Sequence, residues 1–563
     1  MKLPDKVYPY LAFWVALNLI QAFFSELIHD EAYYWFYSKK LAWGYFDHPP
    51  AIAFLIKIGD TLIHNELGVR LAIVFMSAAT LWLIWKTINA PKSPRGSKEP
   101  ALFFGLVFST VIIHIGGFIA VPDIPLVFFT ALYFYFFKQY LEKNNWQTAL
   151  LLTLAVVGMA YSKYQGALVV IFSVLPNLKL LRRPSFWMVP ILTLLAYIPH
   201  FQWQLAHEFP TFRYQFLDRS NVPYKIEFFF NYILGQILIF GPLIGFLLFP
   251  AAVKYRAKND FEKTMKWCFY GFFGFFLLQS TRGRIEPNWT VMAAVPMFYM
   301  GYHYIVNNKK LKKRAYKLML PSFVLILIFR IYMMVGFLPA GLVKRDEFHG
   351  WKHWAETISE KAGDLPVVFH NTFQMPSKYM FYSGKFAHSA NTVNYAGKEY
   401  DLRPDMEEKI QGKKVFNIHG GGKDTLDTGS TGLIKYDIVP GFYYYNRIKL
   451  RIPKQTYKVP LDTVLEIPIK IENPTDKEVD FSKTPTNELS IQYCLFWYGK
   501  VKYCKPAMQG FPVGKLAAGE SVDTKAKIYT PPEKGKHWRF RLAIKAKNFY
   551  GRNSNSTLYK IID

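Results

Sequence analysis

Residues 29–57 read HDEAYYWFYSKKLAWGYFDHPPAIAFLIK: two adjacent acids, a run of aromatic residues, and an Asp-His pair before two prolines. The stretch starts where an apolar segment, roughly 8–27, ends, and that segment has the length a helix needs to cross a bilayer. An acidic, aromatic loop at the mouth of a membrane helix is costly to keep beside lipid, which marks it for function. Asp30 and Glu31 form the paired carboxylate. Pro49 and Pro50 stiffen the return toward the next apolar segment.

Moving outward, similar apolar blocks recur up to residue 340, in a chain that is 51% hydrophobic and 18% aromatic. Hydropathy predicts about eleven spans, near 8–27, 67–86, 101–119, 124–140, 148–162, 164–180, 187–200, 229–252, 267–281, 288–306 and 318–338. Tyr8–Leu27 has no cleavage pattern and is expected to stay as the first span. The net charge of +28 suggests nucleic acid at first. Much of it lies in short connections, however, where the positive-inside rule already places it, so nucleic acid is not expected as a partner. These connections hold Lys86, Lys92, Arg95 and Lys98; Lys179, Arg182 and Arg183; Lys254 to Lys266; and Lys309 to Lys317. With the spans above, all four fall on one side, the expected cytoplasm. Asp30, Glu31, Asp47, His48, Asp123, Lys163, the 201–228 loop and Arg282 to Glu286 then fall on the other.

Taken together, these stretches resemble the superfamily of protein O-mannosyltransferases and lipid A aminoarabinose transferases, which have the GT-C fold. The resemblance rests on the Asp-Glu and Asp-His-Pro-Pro pattern, VPDIPLVFF around Asp123, YSKYQGAL around Lys163, and PHFQWQLAHEFPTFRYQF from Pro199. RIEPNW from Arg284 and GWKHWA from Gly350 belong to the same set. It implies an α-helical polytopic membrane domain and an inverting transfer of a hexosyl or pentosyl group from a polyprenyl-phosphate sugar. The acceptor would be a protein, lipid A or a cell-surface glycan, and the place the outer face of a bacterial inner membrane. Asp30 matches the family's carboxylate in the first outer loop, and Asp123 its second. His48 follows the mannosyltransferase form of the turn, which leaves the acceptor open.

The residue types suit that chemistry. A sugar phosphodiester carries a good leaving group, so the site needs a carboxylate to take the acceptor's proton and fixed positive charge for the departing phosphate. Asp30, with Glu31 and Asp123, is expected to supply the first; Lys163, Arg282 and Arg284 the second. Asp47, His48, Tyr34, His207 and Asn288 are expected to contact substrate. His207 reads equally well as part of a lid or of an interfacial aromatic belt. Asp47, His48 and Asp123 are of the types that bind a divalent cation, although their spacing does not demand one.

After residue 340 the texture becomes that of soluble sequence. Residues 341–440 read as a small α/β module: PVVFHN, KKVFNI and LIKYDIV as strands, QMPSKYMFYSG as helix, and His419-Gly-Gly-Gly-Lys423 as a turn without chemistry. From 441 to 563, short strands between turn residues predict a β-sandwich with an accessory role. Of the three cysteines, Cys494 and Cys504 flank Tyr498-Gly499-Lys500, and a three-residue hairpin loop would set them opposite each other for a disulfide. The rival from another class is a transporter or flippase of lipid-linked sugars, expected to show inverted repeats; no internal repeat is seen.

Overall fold

In a computed structural model of the chain, residues 7–88, 99–214, 224–338, 342–343, 346–485, 488–531, 538–547 and 549–561 are described. Lys92, Arg95, Lys98 and positions 215–223 of the predicted 201–228 loop lie outside them. The chain falls into two compact units, one of Met1–Phe209 with Tyr224–His349, the other of Pro210–Pro223 with Gly350–Asp563.

The first unit is helical. Helix α1 (Tyr8–Phe24) stops at Ser25, whose backbone is extended, and the chain turns by 90° into α2 (His29–Ser38). The aromatic stretch predicted as a loop is therefore mostly helix: α2, a turn through Gly44 to Pro50, and α3 (Ala51–Leu62). There follow α4 (Glu66–Ile88), α5 (Pro100–Phe108), α6 (Val111–Ile115), α7 (Asp123–Glu142), α8 (Trp146–Ser162), α9 (Gly166–Val174) and α10 (Pro184–Ala206). The short α11 (Pro210–Arg213) clusters with the other unit. The helical unit resumes with α12 (Glu227–Ile239), α13 (Gly245–Lys254), α14 (Asp260–Ser280), α15 (Ala294–Val306) and α16 (Lys309–Val335).

Each of the eleven apolar segments corresponds to a helix or a broken helix. Segment 101–119 breaks into α5 and α6 at Ser109-Thr110. Segment 229–252 breaks into α12 and α13 at Gly241, whose φ of +116° suits glycine and whose missing side chain leaves room for the Ser109 carbonyl. By length and composition, among the described residues, α4, α7, α10 and α16 are long and apolar enough to cross a membrane singly, and bent α1–α2 makes a fifth. Asn145, Asn259 and Asn308 cap α8, α14 and α16, each side chain accepting from a backbone N–H three residues on. The buried α7 packs against α4 and α8. In contrast, α10 and α16 leave Leu194, Leu195, Leu320 and Ile328 exposed, an apolar surface that only lipid or protein can cover.

The second unit begins with α17 (Trp351–Ala362) and a five-stranded sheet: β1 (Val367–His370), β2 (Ala387–Ala390), β3 (Lys413–Ile418), β4 (Asp424–Asp427) and β5 (Leu433–Phe442), in the order β2-β1-β3-β5-β4. β1 runs parallel to both β2 and β3, and α18 (Gln374–Ser383) links β1 to β2. Its strands beyond are β6 (Lys449–Arg451), β7 (Thr456–Val459), β8 (Val464–Glu472), β9 (Val479–Asp480), β10 (Leu489–Trp497), β11 (Lys500–Pro506), β12 (Lys515–Leu516), β13 (Ser521–Tyr529), β14 (Trp538–Ala546), β15 (Phe549–Tyr550) and β16 (Thr557–Ile561). The sheets β13-β8-β6 and β11-β10-β14-β16-β7 share one core, in which Ile467, Ile469 and Ile471 of β8 meet Ile491 and Leu495 of β10.

The cysteine hairpin differs in detail from its prediction. The loop is two residues, Tyr498-Gly499, both at positive φ as a tight hairpin turn requires. Such a loop alone would set Cys494 opposite Tyr503. A bulge after Leu495 adds one residue to β11, pairing Cys494 with Cys504, and the two are disulfide-bonded. His419-Gly-Gly-Gly-Lys423 is a turn, as expected, with Gly422 held too close to the Tyr436 backbone for any side chain.

Candidate functional site

Neighbouring residues on a helix point roughly 100° apart, and on α2 this separates the two acids. Glu31 turns inward and is fully buried. Arg70 of α4 grips it with Nε and Nη2, at 2.7 and 2.6 Å, and it also accepts from the backbone N–H of Ala120 at 2.8 Å and of Ile28 at 3.1 Å. Arg70 spends its other hydrogens on the carbonyls of Ala22, Ser25 and Glu26 at the end of α1. The pair thus fixes the 90° bend. Glu31 was expected among the catalytic carboxylates; four short contacts saturate its oxygens, and its place is structural.

Asp30 turns outward and is exposed. One turn further, Tyr34 lies on the same face but is buried. Its ring meets that of Tyr37 edge-on at 5.6 Å. The other acids expected at the site lie on the turn before α3, Asp47, and at the first residue of α7, Asp123. Asp47 accepts a hydrogen bond from Tyr37, whose ring stacks on Tyr45 at 4.3 Å, and the His48 ring meets Tyr34 edge-on at 5.5 Å. Both oxygens of Asp123 take hydrogen bonds of 2.9 Å from Lys163, and both side chains are nearly buried. Lys163, expected to bind the donor phosphate, is a cation held in place by a carboxylate.

The turn carrying Asp47 docks on α10. The Trp203 ring lies where a side chain on Gly44 would have to go, 2.4 Å from an added Cβ. His200 bridges the Trp43 carbonyl at 2.6 Å and the Tyr164 hydroxyl at 3.0 Å, and Gln204 donates to the same hydroxyl at 2.9 Å. His207, expected to contact substrate, stacks on Trp203 at 4.3 Å and meets its carbonyl at 2.8 Å, closing the end of α10. Arg284 pairs with Glu286 at 3.0 Å and stays 71% exposed; Arg282 is exposed, and Asn288 half-buried. Among the described residues, no three His, Cys, Asp or Glu side chains stand close enough to hold a metal ion.

Sequence reasoning passed over three residues here. Arg70 is a lone charge inside an apolar run, a signal that was present. Arg330, buried in α16, is another; it donates to Gln21 at 3.0 Å and to Asn18 and the Leu17 carbonyl at 3.1 Å, and its Nη1 meets His114 Nδ1 at 3.0 Å. Glu347 accepts from the His29 N–H at 3.1 Å, at the positive end of α2, and nothing local announced it.

Residues 47–203 match the family described as dolichyl-phosphate-mannose-protein mannosyltransferase. The chain is 24% identical over 287 residues to lipid A galacturonosyltransferase RgtD of Rhizobium johnstonii, a match covering 48% of this chain and 59% of that relative. The chain therefore spans about three-fifths of the curated relative's length. Among solved structures it is similar to ArnT from Cupriavidus metallidurans in the apo state, with a TM-score of 0.58 and 12% identity, over 76% of this chain and 97% of that one. ArnT bound to undecaprenyl phosphate gives a TM-score of 0.57, also at 12% identity and the same coverage. The chain has the GT-C fold, and within it residues 47–203 are what matches the mannosyltransferase family.

Proposed function

We propose that the protein is an inverting glycosyltransferase that moves a sugar from a polyprenyl-phosphate donor to an extracytoplasmic acceptor. The observation that carries this reading is the buried Asp123–Lys163 pair, with exposed Asp30 on α2 and with Asp47 and His48 held against Tyr37 and Tyr34. The similarity to a fold observed with undecaprenyl phosphate supports the donor class.

In the proposed reaction the acceptor hydroxyl oxygen attacks the anomeric carbon and the bond from that carbon to the phosphate oxygen breaks. The phosphate leaves with the bonding pair, and the hydroxyl proton passes to Asp30, the exposed carboxylate. Lys163, oriented by Asp123, places positive charge where the leaving phosphate gathers negative charge. Arg282 and Arg284, exposed cations, hold the carrier phosphate before transfer. Tyr34, Asp47 and His48 orient the sugar. The relatives act on lipid A and on proteins by name, so an acceptor of glycan, lipid or protein type is proposed. The basic connections are proposed to face the cytoplasm of a bacterial inner membrane, with the site on the other side.

The test is incubation of the protein in lipid nanodiscs with radiolabelled polyprenyl-phosphate sugars and outer-membrane lipid or glycan acceptors. Release of free polyprenyl phosphate with label in the acceptor is expected. Carrier binding at unit stoichiometry without turnover for any donor would replace the enzyme by a transporter of lipid-linked sugars.

A further inference from the structure

The second unit holds a cleft of about 530 Å³ that the transfer reaction does not use. Its floor is the carboxyl end of the parallel strands. Val367 and Phe369 of β1 pack with Tyr379 of α18, on one face of the sheet, while Val368 packs with Ile410 of the β2–β3 connection on the other. The chain leaves β1 over one face and returns over the opposite one, so the strand order β2-β1-β3 opens a crevice at the ends of β1 and β3. Such a switch point is where open α/β sheets bind ligands.

The side chains gathered there are polar. His370, the last residue of β1, meets Asn417 of β3 at 2.8 Å and stacks on His419 at 5.0 Å; His419 in turn contacts Asp437 of β5 at 2.7 Å. Asn371, immediately after β1, adopts a φ of +55° and accepts from the backbone and side chain of Thr392 at 2.9 and 2.8 Å. A left-handed non-glycine residue in a cleft is the kind of backbone strain that clusters at ligand sites. Aromatic groups complete the lining, Tyr443, Tyr550 and Phe549, the last meeting His370 edge-on at 5.1 Å.

The charges in the cleft are already spoken for. Asp437 is held below the usual carboxylate range by the Lys423 backbone N–H and by His419. Burial, and then the charge of His419, push His370 down to about 4, so it is neutral at physiological pH. Lys547 donates to the Gly441 carbonyl at 3.2 Å and lies over Tyr443. Such a lining offers no strong anion site. It offers amides and imidazoles that both donate and accept, beside flat apolar rings, which is what a neutral, hydroxyl-rich ligand with C–H faces requires.

We infer that this cleft is a saccharide-binding site. The inference stands on the second unit alone and does not depend on what the membrane unit transfers.

The test is saturation-transfer difference NMR of the full chain in nanodiscs, without donor. The probes are methyl glycosides of glucose, galactose, mannose and N-acetylglucosamine, with their β-linked disaccharides. Saturation transfer to the ring protons of at least one probe is expected, weakened tenfold or more by Asn394→Ala, a further amide of the cleft lining, and by Tyr550→Ala. Asp30→Asn should leave it unchanged, which separates this site from the membrane one. Thermal unfolding of each variant distinguishes a lost site from a lost fold, and His419→Gln provides a second, milder lesion. Absence of transfer to every probe at millimolar concentration would overturn the inference, as would binding that survives all three cleft variants.

Discussion

The two faces of α2 handle negative charge in opposite ways. The inner face buries Glu31 against Arg70, with every lone pair engaged. The outer face carries Asp30, exposed, while beyond α2 the carboxylate of Asp123 is held by Lys163. A saturated carboxylate stabilises a bend, whereas the exposed one is proposed to accept the acceptor's proton. Adjacency in sequence says nothing about which of the two a residue will do; the helical period decides.

That contrast is open to attack from the inner face first. Arg70→Met leaves Glu31 charged and buried without its partner, at a cost of about 3–5 kcal/mol, and loss of folded protein is expected in fluorescence-detected size exclusion. The double variant Glu31→Leu with Arg70→Met removes both charges, and should fold and retain transfer. The outer pair should behave in the reverse sense. Asp123→Asn with Lys163→Met is expected to keep the unfolding temperature near that of wild type while transfer falls by about 100-fold. If the inner double variant loses turnover at full stability, or the outer one keeps it, the two faces have been assigned the wrong way round.

A smaller effect separates the turn from the helix. Gly44→Ala places a Cβ 2.4 Å from Trp203 and should cost about 1–3 kcal/mol, with substrate binding weakened because Asp47 and His48 sit on the displaced turn. The measurement is the unfolding temperature together with KM for the donor.

The smallest predicted effect lies in the other unit. His388 is buried with no hydrogen-bond partner on either ring nitrogen, and burial pushes it down to about 3 from an ordinary 6.5. Its folded pKa is the lower one, so its contribution to stability is complete above pH 6.5 and is lost as pH falls toward 3. Acid unfolding of the second unit followed by tryptophan fluorescence should shift to lower pH in His388→Phe, whose ring keeps the contacts with Tyr400 and Tyr444.

Much of this fold was legible in the chain because spanning helices and alternating strands announce themselves by period and length. The 90° bend after Phe24 was not, since Ser25 to Ile28 is an unremarkable run of residues and what holds it open is Arg70, some 40 positions later. The acids of the outer face were legible as residue types. Which of Asp30 and Glu31 faces outward was not, because the aromatic stretch that read as a loop is a helix. The Lys163–Asp123 pair joins the ends of two helices, a contact no local pattern displays. His419 reads as the start of a glycine turn, and is one, yet the parallel strands bring it to His370 and the cleft.

The most direct measurement compares wild type with Asp30→Asn in one nanodisc preparation, following label transfer from polyprenyl-phosphate sugar alongside thermal unfolding. An exposed carboxylate should be replaceable within about 0.5 kcal/mol of stability, so matching unfolding curves and a loss of turnover of about 100-fold or more are expected. Equal turnover at equal stability would contradict it, and would remove Asp30 from the reaction.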